Sequence, residues 1–215
     1  MNVAILGGTG PEGLGLGARL AKAGNRVIVG SRSAERAAEA ARSLRERVPS
    51  AEIDGGTNVD AASRAETVFV AVPYAGLGVV IDTCGDHLTG KVVVDIVVPL
   101  RMRKGFADLE PVAEGSASER IQASLPNARV VSAFKSQSAI HLLDLEHPVE
   151  GDVIISGNDP AARELVAGLV RGIPDLRPVD AGDVRNSRAV EHLTALLVNL
   201  NRRHRAHTSF RITGL

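Results

Sequence analysis

The chain opens on Val3, Ala4, Ile5 and Leu6 and runs straight into Gly7, Gly8, Thr9, Gly10, Pro11, Glu12 and Gly13. A short aliphatic strand pattern thus breaks into glycine and restarts as a helix. Gly8, Gly10 and Gly13 have the G-x-G-x-x-G spacing. Side chains are absent where the strand must turn tightly into the helix, and where backbone N–H groups at the helix N-terminus must approach a pyrophosphate. Pro11 suits a first helical position, because the N–H it lacks would have no partner there. Glu12 is the uncomfortable member, since a carboxylate beside a pyrophosphate repels it unless the side chain turns to water. Gly15 and Gly17 lie inside the same helical pattern at about 1 kcal/mol each relative to alanine, which close packing has to offset.

The strand-then-helix alternation continues along the chain. Runs rich in Val and Ile at 3–6, 26–29, 67–72, 91–98, 128–133 and 152–155 read as strands buried on both faces. Helical patterns at 14–23, 34–48, 77–84 and 117–124 separate them, with Ser33 as a start signal and Gly24 and Pro49 as stops. Such alternation predicts an α/β fold of Rossmann type, doubly wound around a mainly parallel sheet. Beyond Gly157 the pattern predicts a helix at 160–170, a short strand at 176–179 and a long helix at 186–205. The apolar stripe of that last helix is Val190, Leu193, Leu196, Leu197 and Leu200. The expected division is a dinucleotide-binding domain over residues 1–140 and a small α/β lobe over 141–215.

Composition narrows the function. Twenty-five basic residues balance twenty-five acidic ones, so no net field recruits nucleic acid or an anionic membrane. Aromatic residues make up 2% of the chain and tryptophan is absent, which leaves no stacking platform for single-stranded nucleic acid. Cys84 is the one cysteine, and the six histidines have no metal-ligand spacing, so neither a disulfide framework nor a metal site is expected. With no apolar run of membrane length and no leader pattern, a cytoplasmic protein acting on a small molecule is expected.

The end of the second strand pattern selects the cofactor. NAD-binding versions of this turn carry an Asp or Glu there for the ribose hydroxyls, whereas a 2′-phosphate requires cations. Here the run 26–29 is followed by Gly30, Ser31, Arg32 and Ser33, with Arg36 one helical turn on. Arg32 can stack on the adenine or fork onto the phosphate, and the Ser31 hydroxyl can donate beside it. A cation in a helix's first turn opposes the helix dipole, so Arg36 calls for an anion nearby. The pattern predicts NADP.

Taken together, several segments resemble one known family, the NADP-dependent reductases of the deazaflavin coenzyme F420. They are 3–10, Gly30-Ser31-Arg32, Val72-Pro73, Val98-Pro99, 130–133, Asn186-Ser187-Arg188 with Val190-Glu191 and Leu193-Thr194, and 201–207. The resemblance runs from end to end. It implies a homodimer exchanging hydride between NADP(H) and coenzyme F420 as co-substrate. By position it assigns Thr9, Gly10, Pro11 and Glu12, within the cofactor-binding turn Gly8 to Gly13, to the pyrophosphate, Ser31, Arg32 and Arg36 to the 2′-phosphate, and Val72, Pro73 and Tyr74 to the ribose side. Ala139 falls to the nicotinamide amide. Val98 and Pro99, the segment Lys135, Ser136 and Gln137, and His207 on a closing C-terminal stretch fall to the deazaflavin. One departure stands out: the family usually carries a histidine and then a small apolar residue where this chain reads Phe134, Lys135, Ser136, Gln137, Ser138.

Hydride transfer between two stacked rings needs positioning far more than acid–base chemistry. No catalytic acid or base is therefore assigned, and the sequence offers no placed pair of carboxylates or Ser/His/Asp set. Other readings of the same residues are an NADPH-dependent reductase of a flavin, ferric chelate, small carbonyl or imine, and a non-catalytic NADP-sensing protein.

Overall fold

In the computed structural model, which describes residues 1–215, the aliphatic runs become strands of one sheet. In chain order the strands are β1 (Asn2–Leu6), β2 (Arg26–Ser31), β3 (Ile53–Thr57), β4 (Thr67–Val70), β5 (Val92–Asp95), β6 (Leu100–Arg103), β7 (Phe106–Leu109), β8 (Arg129–Ser132), β9 (Gly151–Gly157) and β10 (Leu176–Asp180). Eight of them order as β10-β9-β8-β5-β4-β1-β2-β3, and β6 with β7 forms a separate hairpin. All pairings within the large sheet are parallel except β8 with β9, where Val131 lies opposite Gly157. The boundary expected after residue 140 thus falls in the connection leading to the antiparallel strand, and β9 and β10 extend the same sheet.

The helices are α1 (Pro11–Lys22), α2 (Ala34–Arg47), α3 (Asn58–Arg64), α4 (Leu77–Leu88), α5 (Ala117–Ser124), α6 (Ala139–Leu143), α7 (Pro160–Arg171) and α8 (Ser187–His204). Strand side chains alternate between the faces, so Val3, Ile5, Val27, Val29, Phe69 and Val94 pack under α1, α2 and α7. Ala4, Leu6, Ile28, Val68, Val70 and Val93 face α3, α4 and α5 on the other side. Because both faces are covered, the strands read as unbroken apolar runs rather than as polar alternation.

Chain direction reverses its lateral drift at β1: β2 and β3 lie to one side, β4 and β5 to the other. In such sheets a crevice opens beyond the carboxyl ends of the strands at this switch point. The two helical glycines are explained by contacts. A Cβ on Gly15 would stand 2.6 Å from the Leu142 Cβ, and one on Gly17 would stand 3.2 Å from the Ile5 Cδ1. α1 therefore touches α6 as well as the sheet. Arg19, four residues beyond Gly15, reinforces that junction by donating from its buried side chain to the carbonyls of His141, Leu142, Asp144 and His147.

Candidate functional site

A cleft of about 690 Å³ lies at the switch point. Its floor is the glycine turn. Gly7 has φ +73°, a conformation that L side chains rarely adopt, and a Cβ on Gly13 would stand 2.6 Å from the Gly8 Cα. Strand and helix can approach that closely only as glycines. The Gly10 N-cap makes no side-chain hydrogen bond, so the first amides of α1 have no cap from the protein. Gly7, Thr9 and Gly10 line the cleft directly.

One wall carries the cations. Ser31 ends β2, and Arg32 and Arg36 follow it on exposed positions along the cleft. Neither guanidinium takes part in an ion pair or hydrogen bond within the protein, although the Arg36 backbone N–H caps α2 by donating to the Ser33 Oγ at 3.2 Å. Two free cations therefore face one cleft whose lining holds no acidic residue, the donor set that suits a phosphate dianion. The facing wall is formed by Val72, Pro73, Ala75, Gly76 and Val79. Tyr74, expected with Val72 and Pro73, turns aside: its hydroxyl accepts from Arg120 at 3.0 Å, and the guanidinium lies 5.3 Å from the ring centroid.

Thr57, Asn58 and Val59 complete the cleft and were not anticipated from the sequence. The Asn58 Oδ1 accepts from the Gly7 N–H at 3.1 Å, which ties the start of α3 to the glycine turn. A signal was available, because Thr57 caps α3 by accepting from the Asp60 N–H, a Thr-x-x-Asp helix start.

Glu12, the uncomfortable member of the turn, does not turn to water. Its side chain is largely buried, it does not line the cleft, and its Oε1 has no hydrogen-bond partner. Burial pushes its carboxyl up to about 8. At neutral pH the group is therefore mostly uncharged, and the repulsion from a pyrophosphate is removed by desolvation rather than by hydration.

The expected acceptor residues gather beyond the ends of β5 and β8. Val98 is half-buried and Pro99 buried where the chain leaves β5, and the Pro99 carbonyl accepts from the Glu110 N–H at 2.7 Å, closing the base of the hairpin. Ser136 and Gln137 are buried in the segment after β8, and Gln137 donates from Nε2 to the Asp152 carbonyl at 3.0 Å while its Oε1 has no partner. Ala139 begins α6 and is half-buried. Lys135 departs from expectation. Its side chain is fully buried and its ammonium points inward, to Asp95 Oδ2 at 2.6 Å, Glu191 Oε1 at 3.2 Å and the Val97 carbonyl. It is an internal strut and not an open cation for a ligand's charge.

The C-terminal stretch is ordered over this end. Arg205 (φ 51°) reverses the chain after α8, and Asn201 Oδ1 accepts from the Thr208 N–H and hydroxyl at 2.6 and 2.7 Å. Asp152 holds the strap from below: its N–H donates to the Phe210 carbonyl at 3.0 Å and its Oδ2 accepts from the Ile212 N–H at 2.6 Å. His207 is exposed on the strap, edge-on to His141 of α6 with ring centroids 5.6 Å apart.

The switch-point cleft, the side-chain-free floor and the paired cations define a dinucleotide-binding protein of the NADP-selective Rossmann class. Residues 2–99 match the family described as NADP oxidoreductase, coenzyme F420-dependent. The chain is 39% identical to the F420-dependent NADP reductase of Methanocaldococcus jannaschii, over 100% of this chain and 99% of that protein. It is 37% identical to the enzyme of the same description from Methanothermobacter marburgensis, over 100% and 99%. It also superimposes with TM-score 0.85 and 29% identity, over 100% of both chains, on the crystal structure of a candidate F420-dependent NADP-reductase from Arthrobacter sp. FB24. The chain belongs to this family of F420-dependent NADP oxidoreductases.

Proposed function

We propose that this protein is an oxidoreductase that transfers a hydride between NADP(H) and the deazaflavin coenzyme F420, working as a cytoplasmic homodimer. The observation that carries the reading is the cation wall: Arg32 and Arg36, free of internal partners, beside Ser31 in a switch-point cleft of a chain that belongs to this family over its whole length. No helix of the structure is long and apolar enough to cross a membrane.

The bound pair would supply the hydride donor and acceptor, and the chain's task is to hold them in register. The floor Gly8, Thr9, Gly10, Pro11 and Gly13 brings backbone amides to the pyrophosphate, with Glu12 beneath them in its neutral form. Ser31, Arg32 and Arg36 take the 2′-phosphate. Val72 and Pro73 line the ribose side, with Tyr74 held behind them by Arg120, and Ala139 sits at the nicotinamide amide. Val98 and Pro99 form a shelf for the acceptor, Ser136 and Gln137 supply polar contacts, and His207 approaches from the strap. Stacking two rings at contact distance accounts for the rate without a protein acid or base, because orientation alone can supply much of a bimolecular barrier.

The test is NADPH consumption by purified protein with coenzyme F420, followed through loss of the deazaflavin's visible absorbance, against FMN, ferric chelates and small carbonyls offered in turn. Turnover with F420 above the others is expected. Tight NADPH binding with no turnover of any acceptor would overturn the assignment. Arg32→Ala with Arg36→Ala should weaken NADPH binding by about 10- to 100-fold, two charge-assisted contacts being lost, and leave NADH binding little changed. Equal losses for the two would remove the cofactor assignment.

A further inference from the structure

Three charged side chains lie completely inside the protein at the acceptor end of the sheet, and the chemistry described so far uses none of them. Lys135, Asp95 and Glu191 have side-chain exposures of 0%, 0% and 2%. They come from the segment after β8, the end of β5 and the middle of α8.

We propose that Lys135 is a positioning residue for hydride transfer: its buried ammonium binds the end of β5 to α8 and holds the shelf of residues 97–99 at the height the acceptor ring needs. This rests on the functional reading given above.

The network ties Val97, at the base of the shelf, to α5 and α8. The ammonium reaches Asp95 at 2.6 Å and the Val97 carbonyl, one residue before Val98. The Val97 N–H donates back to Asp95 Oδ1 at 2.9 Å, so this residue is gripped by both its backbone groups. Ser118 of α5 donates to Asp95 Oδ2 at 2.6 Å. Glu191 Oε1 accepts from Lys135 at 3.2 Å and from the Ala117 N–H at 3.0 Å, joining α8 to the start of α5. Thr194 closes the circuit by donating to the Lys135 carbonyl at 3.1 Å.

A stability argument alone does not explain these residues. Buried ion pairs are often replaceable by apolar side chains of similar volume with no loss of stability, and here two carboxylates share one ammonium. Burial raises the Glu191 carboxyl above its ordinary range, Lys135 opposes that rise and Asp95 adds to it. The backbone is strained as well, since Phe134 adopts φ 55°, a left-handed conformation that disfavours a bulky side chain. Strain and buried charge coincide at the point where an open α/β sheet places its ligand, the pattern of a functional site maintained against stability.

The variants separate positioning from folding. Lys135→Met alone leaves two buried carboxylates without their cation and should lower thermal stability. Lys135→Met with Glu191→Leu removes one of those two carboxylates, the other keeping the Ser118 hydroxyl and the Val97 N–H as donors, and should recover part of it. In that double variant NADPH affinity should stay within about twofold, because β4 separates the glycine floor of β1 and the cation wall of β2 from Lys135, while kcat with coenzyme F420 falls about 10- to 100-fold, as small misplacements of reacting rings do. The isotope effect with NADPH deuterated at the transferred position should rise as hydride transfer becomes rate-limiting. Glu191→Gln keeps the shape and the Lys135–Asp95 pair, so it reports even where the other variants do not fold; it should show the same rise in smaller measure. A stable double variant with wild-type kcat, or a Glu191→Gln protein with an unchanged isotope effect, would overturn the proposal. Wild-type protein that binds NADPH and leaves F420 unreduced would instead overturn the functional reading, and this role with it.

Discussion

At the scale of single residues, Glu12 shows how burial changes the meaning of a sequence motif. Its carboxyl is raised from an ordinary 4.5 to about 8 by desolvation. The folded protein therefore holds a proton that the unfolded chain releases between those values. The unfolded state binds fewer protons across that window, so stability is fullest below about pH 4.5 and is lost as pH rises through about 8. The size is a few kcal/mol. Glu12→Gln, which carries no titrating proton, should melt at a temperature nearly independent of this group, so the variant should gain on wild type as pH is raised from about 6 to about 9. NADPH affinity should follow the same course, with wild type weakening at high pH as the ionised carboxyl meets the pyrophosphate. Parallel melting curves across that range would show that Glu12 titrates as an exposed carboxylate. What the sequence made legible at this scale was the floor and the cation wall, because both depend on residues adjacent in the chain. Lys135 was legible as a position but not as a role, since Asp95 and Glu191 lie forty and fifty-six residues away and only the fold brings them to it.

At the scale of elements, periodic apolar runs were readable and elements lacking them were not. β3 (Ile53–Thr57) carries Asp54, Gly55 and Gly56, with little β-branched character to announce a strand. Gly55 is required there because a Cβ would collide with the Ala37 carbonyl of α2. The hairpin had a usable signal: Leu100, Arg101, Met102 and Arg103 alternate up to Lys104 and Gly105, whose φ values of 44° and 83° make the two-residue turn that hairpins favour. The α1–α6 junction supplies a prediction whose sign opposes propensity. Gly15→Ala should gain about 1 kcal/mol from helix propensity, yet the new Cβ would stand 2.6 Å from the Leu142 Cβ. Overpacking of this kind costs about 1–3 kcal/mol, so the expected net effect in urea unfolding is destabilisation. Gly24→Ala makes the contrast: a Cβ there meets nothing within 4 Å, and its cost comes from φ +84° alone. A Gly15→Ala protein more stable than wild type would mean that α6 yields freely, which would also loosen the segment carrying Gln137.

At the scale of the whole molecule, the hairpin and α8 are joined into one unit that carries several exposed apolar side chains. Asn199 of α8 accepts from the Ala107 N–H at 2.7 Å and donates to the Ala107 carbonyl at 2.8 Å, locking β7 onto the helix. On this unit Met102, Phe106 and Leu196 are 50%, 61% and 53% exposed. Large apolar side chains grouped on two interlocked elements are the kind of surface that a homodimer interface covers, since such interfaces are more apolar than ordinary surface. The same hairpin begins at Pro99, so a second copy seated on it would brace the acceptor shelf from outside. Phe106→Glu places a charge on that face while leaving the Asn199 contacts with Ala107 intact. If the proposed homodimer is built on this face, the variant should run as a monomer in sedimentation velocity. NADPH binding, which uses the switch-point cleft at the ends of β1, β2 and β4, should be retained, and the KM for coenzyme F420 should rise as the shelf loses its outer support. A Phe106→Glu protein that remains dimeric would place the interface elsewhere, and a monomer with unchanged KM would separate assembly from the acceptor site.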